Sequence, residues 1–155
     1  MKVFIGGARS IVELPPIVKN RLQSIYQKGF TVLVGDCYGV DCAVQKFYAN
    51  KNHKNVTIYA CNGKARNNIG RWNTKNTTVS DSVSGFDFYK QKDLAMANDA
   101  DYGFMIWDGN SRGTHNNIVS LIGQNKTTLV YLSSENKFFT VKTSADLNAI
   151  YQFNR

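Results

Sequence analysis

Cysteine is too sparse in this chain to build a framework. Cys37, Cys42 and Cys61 form an odd set of three with no C-x-x-C spacing and no nearby histidine. That excludes a disulfide scaffold and a zinc site and leaves reduced thiols. Long apolar runs are also missing: "YGFMIW" at 102 to 107 falls far short of a membrane span. No secretory leader is read at the start, where Lys2 runs straight into a strand-like segment, so the expected location is cytoplasmic, with no membrane partner. Internal repeats and low-complexity linkers are absent too, so the 155 residues are expected to form a single domain. No metal and no cofactor are assigned.

Acid is the other scarcity. Nineteen Lys and Arg stand against eleven Asp and Glu, a formal net charge of +8. Such a surface gathers anions, whether a polymer or a small phosphorylated ligand. The basic residues are scattered rather than run together, which weighs against nucleic acid. The exception is 61 to 84, where Lys64, Arg66, Arg71 and Lys75 surround Trp72 against one acid, Asp81.

What is present is an alternation. Strand-like runs at 2 to 6, 30 to 34, 56 to 60, 102 to 107 and 127 to 132 are separated by helical periods. The helices are expected near 15 to 27, 40 to 50, 87 to 98 and 114 to 123. Pro15-Pro16 suits a helix start, and Ile17, Val18, Leu22 and Ile25 make one apolar stripe. The pattern predicts an α/β fold: a single Rossmann-like domain whose five-stranded, mainly parallel sheet is flanked by helices. Segment 61 to 84 reads as a loop-like insertion. The tail from 133 to 155 reads as an edge strand near 138 to 141 and a last helical turn from Ser144.

In such a fold, ligands bind at the carboxyl ends of the strands, beside the point where strand order reverses. Three loops fall there. "GGARS" supplies Gly6, Gly7, Arg9 and Ser10; a glycine turn of this kind brings bare N–H groups toward a phosphate, although a strand also ends at glycine simply to turn. "GDCYGVDC" supplies Gly35, Asp36, Gly39 and Asp41, the last suited equally to capping a helix and to holding ribose hydroxyls. Cys37 and Cys42 read as small fillers, with a thiol activated by the helix start as the minor reading for Cys42. "DGNSRGTHNN" supplies Asp108, Gly109, Ser111, Arg112, Gly113, Thr114 and Asn117. Gly113 and Thr114 are the expected phosphate site, at a helix start where free N–H groups and the dipole favour an anion.

"GGARS", "VGDCYGVDCAVQKF" and "KDLAMANDADYGFMIWDGNSRGTHNNI" together resemble the SLOG superfamily over roughly residues 1 to 132. This group includes the lonely-guy phosphoribohydrolases, the DNA-processing protein A fold and nucleotide-sensing modules of bacterial conflict systems. The resemblance implies a nucleotide or nucleotide-derived small molecule as partner, a defence or stress-signalling setting, and a homodimer. Some members cleave the N-glycosidic bond of a nucleoside monophosphate, using a glutamate three residues after a Gly-Thr. Here that position is Asn117. An amide cannot stabilise or trap an oxocarbenium-like state as a carboxylate does, so the resemblance favours binding over cleavage. Asp36, Asp93 and Asp108 are the carboxylates left as candidate catalytic groups for the hydrolase alternative. In the basic segment, Lys64, Arg66 and Arg71 suit a lid over an anion and Trp72 suits stacking on a base. The same residues suit a single-stranded nucleic acid, the second alternative.

Overall fold

The computed structural model describes residues 1–153, so 154 and 155 of the expected domain lie outside the described residues. Along the chain run β1 (Lys2–Gly7), α1 (Pro16–Gln27), β2 (Thr31–Gly35), α2 (Val40–Asn50), β3 (Val56–Cys61) and β4 (Asn73–Thr77). They are followed by α3 (Gly85–Asp99), β5 (Tyr102–Trp107), α4 (Arg112–Gly123), β6 (Thr128–Leu132), β7 (Lys137–Val141) and α5 (Ser144–Phe153). One sheet results, in the order β4-β3-β2-β1-β5-β6-β7, parallel throughout except for the antiparallel β6–β7 pair.

The α/β class holds, with seven strands where five were expected. Both additions are edges, and β7 falls on the edge strand expected near 138 to 141. β7 pairs back onto β6 through a tight turn in which the Glu135 N–H reaches the Leu132 carbonyl. β4 arises inside the segment read as a loop, from the polar run "NTKNT". Its residues are mostly exposed because it covers neither face of the core, and its backbone pairs with β3 from Thr57 opposite Asn73 to Cys61 opposite Thr77. The tail carries a ten-residue helix rather than a single turn.

Period two along the buried strands sorts the core. Val3 and Ile5, Val32 and Val34, and Phe104 and Ile106 face one side, where Val18, Leu22 and Ile25 of α1 and Val40, Val44 and Tyr48 of α2 pack on them. Phe4, Leu33, Met105 and Trp107 face the other, against Met96 and Ala97 of α3, Ile118, Leu121 and Ile122 of α4, and Leu147 and Ile150 of α5. Right-handed crossovers explain the split. The chain steps from β1 to β2 to β3 with its helices on one face, and α3 then carries it back to β5 on the far side of β1 across the opposite face. Strand order therefore reverses between β1 and β5, where connecting loops diverge and a crevice opens at the carboxyl ends. No helix among the described residues is long and apolar enough to cross a membrane.

Candidate functional site

A cavity of about 580 Å³ fills that crevice. Gly6 and Gly7 at the end of β1, Arg9 and Ser10 beyond it, Asp41 at the start of α2, and Asp108 after β5 line it together with Ser111, Arg112, Gly113, Thr114 and Asn117. Three loops far apart in sequence thus meet. Asp108 organises their junction: its Oδ1 accepts the backbone N–H groups of Asn110 (2.8 Å) and Ser111 (2.7 Å), and its Oδ2 accepts the Ser10 hydroxyl at 2.8 Å. Burial alone would raise this carboxyl; those donors hold it below its usual value. Ser111 caps α4, its hydroxyl oxygen accepting the Thr114 N–H at 3.3 Å and the Thr114 hydroxyl at 3.0 Å. Thr114, expected at the helix start, is therefore buried inside the first turn, its hydroxyl turned to the cap. The N–H groups of Arg112 and Gly113 have no carbonyl in their own helix to bond. One turn on, Asn117 is 9% exposed and lines the cavity, its amide making no hydrogen bond to another described residue.

The facing wall is α3, which begins two residues earlier than expected and presents Gly85, Phe86, Tyr89, Lys90 and Asp93 at helical spacing. Lys92, on the same helix, is 2% exposed, and its ammonium bonds the Asp93 carboxylate at 2.8 Å. Burial would push that ammonium down; Asp93, the Cys37 sulfur and Asp41 outweigh it and hold it above its usual value. Asp41, 7% exposed, is pushed up to about 7 by burial despite the pull of Lys92, with Asp93 adding to the rise. Its Oδ2 accepts the Cys37 N–H at 3.1 Å. It lies one residue inside α2 rather than at the cap, a position held by Gly39. Gly35 makes room for this cluster, since a Cβ there would meet Asp41 Oδ2 at 2.6 Å and Lys92 Nζ at 3.0 Å. Gly39 has φ +77, and a Cβ would fall 2.5 Å from the Arg9 backbone. Both glycines shape the site from outside its lining; Gly109, at φ +82, also lies outside the lining. Sequence reasoning missed Lys92 because a helical lysine reads as solvated; its signal is the four-residue spacing Phe88, Lys92, Met96, which sets it in an apolar row.

The basic segment closes on the protein instead of over the cavity. Arg66 donates its guanidinium to Asp36 Oδ1 at 2.7 Å and its N–H to Oδ2 at 2.9 Å, and it stacks on Tyr89 at 4.1 Å. Burial would raise the Asp36 carboxyl; the Arg66 bonds pull it below its usual value. Asn67 bonds the Asp36 carbonyl at 2.8 Å, and Gln45 of α2 ties down both the Asn67 carbonyl and the Ile69 N–H. Trp72 sits at the opposite end of the sheet beside the start of β3, its indole N–H bonded to the His53 carbonyl at 2.8 Å. Arg71 lines a separate concavity there, and Lys64 is exposed. None of the four residues expected as a lid lines the cavity. The Cys42 thiol, read as a minor candidate for activation, is pushed up by burial and by Asp41, and it donates to the Cys37 carbonyl.

No family model and no curated protein sequence matches this chain. Among solved structures, the chain is similar to DNA processing protein A from Helicobacter pylori, with a TM-score of 0.63 at 15% identity over 84% of this chain and 64% of that one. That structure is described by its single-stranded DNA binding mode. At this identity the likeness is one of fold, and the chain spans about 64% of that protein's length.

Proposed function

We propose that the chain binds a phosphorylated nucleoside or a nucleotide-derived small molecule in the β1/β5 cavity, as a SLOG-type domain. One observation carries the reading: the open start of α4, with the Arg112 and Gly113 N–H groups, and the amide of Asn117, a largely buried residue with no side-chain partner among the described residues, line the same cavity. A phosphate suits the first and a ribose or base edge the second, with Phe86 and Tyr89 offering aromatic faces alongside. Cleavage draws less support. Asp36 is held by Arg66 outside the lining, Asp108 is taken up by its own loop, and Asp93 is paired with Lys92.

Single-stranded nucleic acid is the second reading, prompted by the fold it shares with a protein described by that binding. It needs cations and aromatic rings free along a track, whereas Arg66 and Trp72 are bonded internally.

Titration calorimetry with nucleoside monophosphates tests the first reading. Wild type is expected to saturate at one ligand per chain and Gly113→Glu to give no measurable binding, a loss of about a hundredfold or more from a carboxylate placed in the helix mouth. The variant should fold, because a Cβ at Gly113 meets nothing closer than the Phe86 ring at 4.0 Å. Unchanged affinity in folded Gly113→Glu contradicts the phosphate assignment.

A further inference from the structure

A second helix start opens on the same cavity. Ser84 precedes α3 without a side-chain cap bond, the Gly85 and Phe86 N–H groups find no acceptor among the described residues, and both residues line the cavity beside Arg112 and Gly113. The two helix starts are adjacent: the Arg112 guanidinium lies over the Phe86 ring at 4.2 Å. Asp87, the acid in the first turn of α3, is exposed and outside the lining.

The side chains around these two ends carry matching charge. Arg9, Lys90 and Arg112 line the cavity, and no carboxylate pairs with any of them among the described residues. The acids that line the cavity are engaged, Asp108 by three donors, Asp93 by Lys92, and Asp41 by the Cys37 N–H, with burial favouring its protonated form. Two positive helix ends and three unpaired cations are more than one phosphate requires. Asn117, 9% exposed and with no hydrogen-bond partner for its amide among the described residues, lines the same cavity and offers a ligand there a donor and an acceptor.

From this, and resting on the nucleotide reading above, we infer that the ligand carries two phosphoryl groups, one seated at the start of α4 and the other at the start of α3. A nucleoside diphosphate and a dinucleoside pyrophosphate share that chemistry. The aromatic residues of α3 distinguish them only by whether one base or two must be placed.

Calorimetric titration of the intact chain tests this with inorganic phosphate, inorganic pyrophosphate, nucleoside mono- and diphosphates of the four common bases, and a dinucleoside pyrophosphate. Pyrophosphate and the two-phosphoryl nucleotides are expected to bind at least about tenfold tighter than their single-phosphate counterparts. Ser84→Asp supplies α3 with its own carboxylate cap and should stabilise the helix while occupying the second seat. In it the preference is expected to shrink to about twofold with monophosphate affinity kept. Lys90→Gln is expected to weaken the preference in the same direction. Equal binding of mono- and diphosphates by wild type overturns the two-phosphoryl assignment and leaves the nucleotide reading standing. Absence of binding by every probe overturns both.

Discussion

Asp36 and Asp108 each stand one residue past the end of a parallel strand, β2 and β5, and their surroundings differ in kind. Asp36 is sealed beneath the 62–72 connection by the guanidinium and the N–H of Arg66, so that half of the carboxyl edge satisfies its own charges. Asp108 takes its donors from its own loop and from Ser10, which fixes the turn while leaving the helix start beyond it open. The same residue type in equivalent places therefore closes one half of the edge and leaves the helix start in the other half open. The net positive charge of the chain acts differently in the two halves: as an internal ion pair after β2, and as unpaired Arg9, Lys90 and Arg112 around the cavity.

A matched pair of variants sharpens that contrast most strongly. Arg66→Ala is expected to lower stability by about 2 kcal/mol, because it strips a buried carboxylate of its main partner; the figure is reduced from that of a fully enclosed pair because Arg66 is partly exposed. Nucleotide affinity should stay within about twofold, since Arg66 does not line the cavity and meets its wall only by stacking on the Tyr89 ring. Arg112→Gln should do the reverse, weakening affinity about fivefold with stability within about 0.5 kcal/mol. Urea unfolding and calorimetry on both variants read the four quantities. The division fails if Arg66→Ala loses affinity while keeping its stability.

A smaller effect belongs to the cavity floor. Asp41 is raised to about 7 by burial, so the folded state favours its protonated form. Its contribution to stability is full below the ordinary carboxyl range and is lost as pH rises toward 7. Asp41→Asn keeps an acceptor for the Cys37 N–H and removes the titration. The stability of the variant relative to wild type is expected to climb between pH 4 and pH 7 in thermal unfolding. His53, held below its usual value by burial, acts oppositely in this window but equally in both proteins, so the difference isolates Asp41. A pH-independent difference contradicts the buried, proton-holding Asp41.

How much of this was legible in the sequence follows from what each part buries. β1, β2, β5 and β6 are buried on both faces and read as continuous apolar runs, and the loops after β1 and β5 announce themselves by glycines and hydroxyls. β4 does not, because an edge strand of Asn, Thr and Lys is held by backbone pairing, which leaves no mark on side-chain type. The α3 wall was hidden for another reason: Phe86, Phe88, Tyr89, Lys90 and Lys92 surround the helix, so no single stripe tells which face turns inward. Trp72 misled because an indole among cations suits a base as well as it suits the His53 carbonyl it bonds.

On the proposed reading, the open half of the edge seats a small anion while the closed half offers no track for a polymer. That reading is tested most directly by titrating one nucleoside phosphate and a series of single-stranded oligonucleotides of increasing length into the wild-type chain across a range of salt. Saturation at one small ligand per chain with a shallow salt dependence is expected, with oligonucleotide binding that does not strengthen with length. Tight oligonucleotide binding that grows with length, falls steeply with salt and is lost in Trp72→Ala contradicts it.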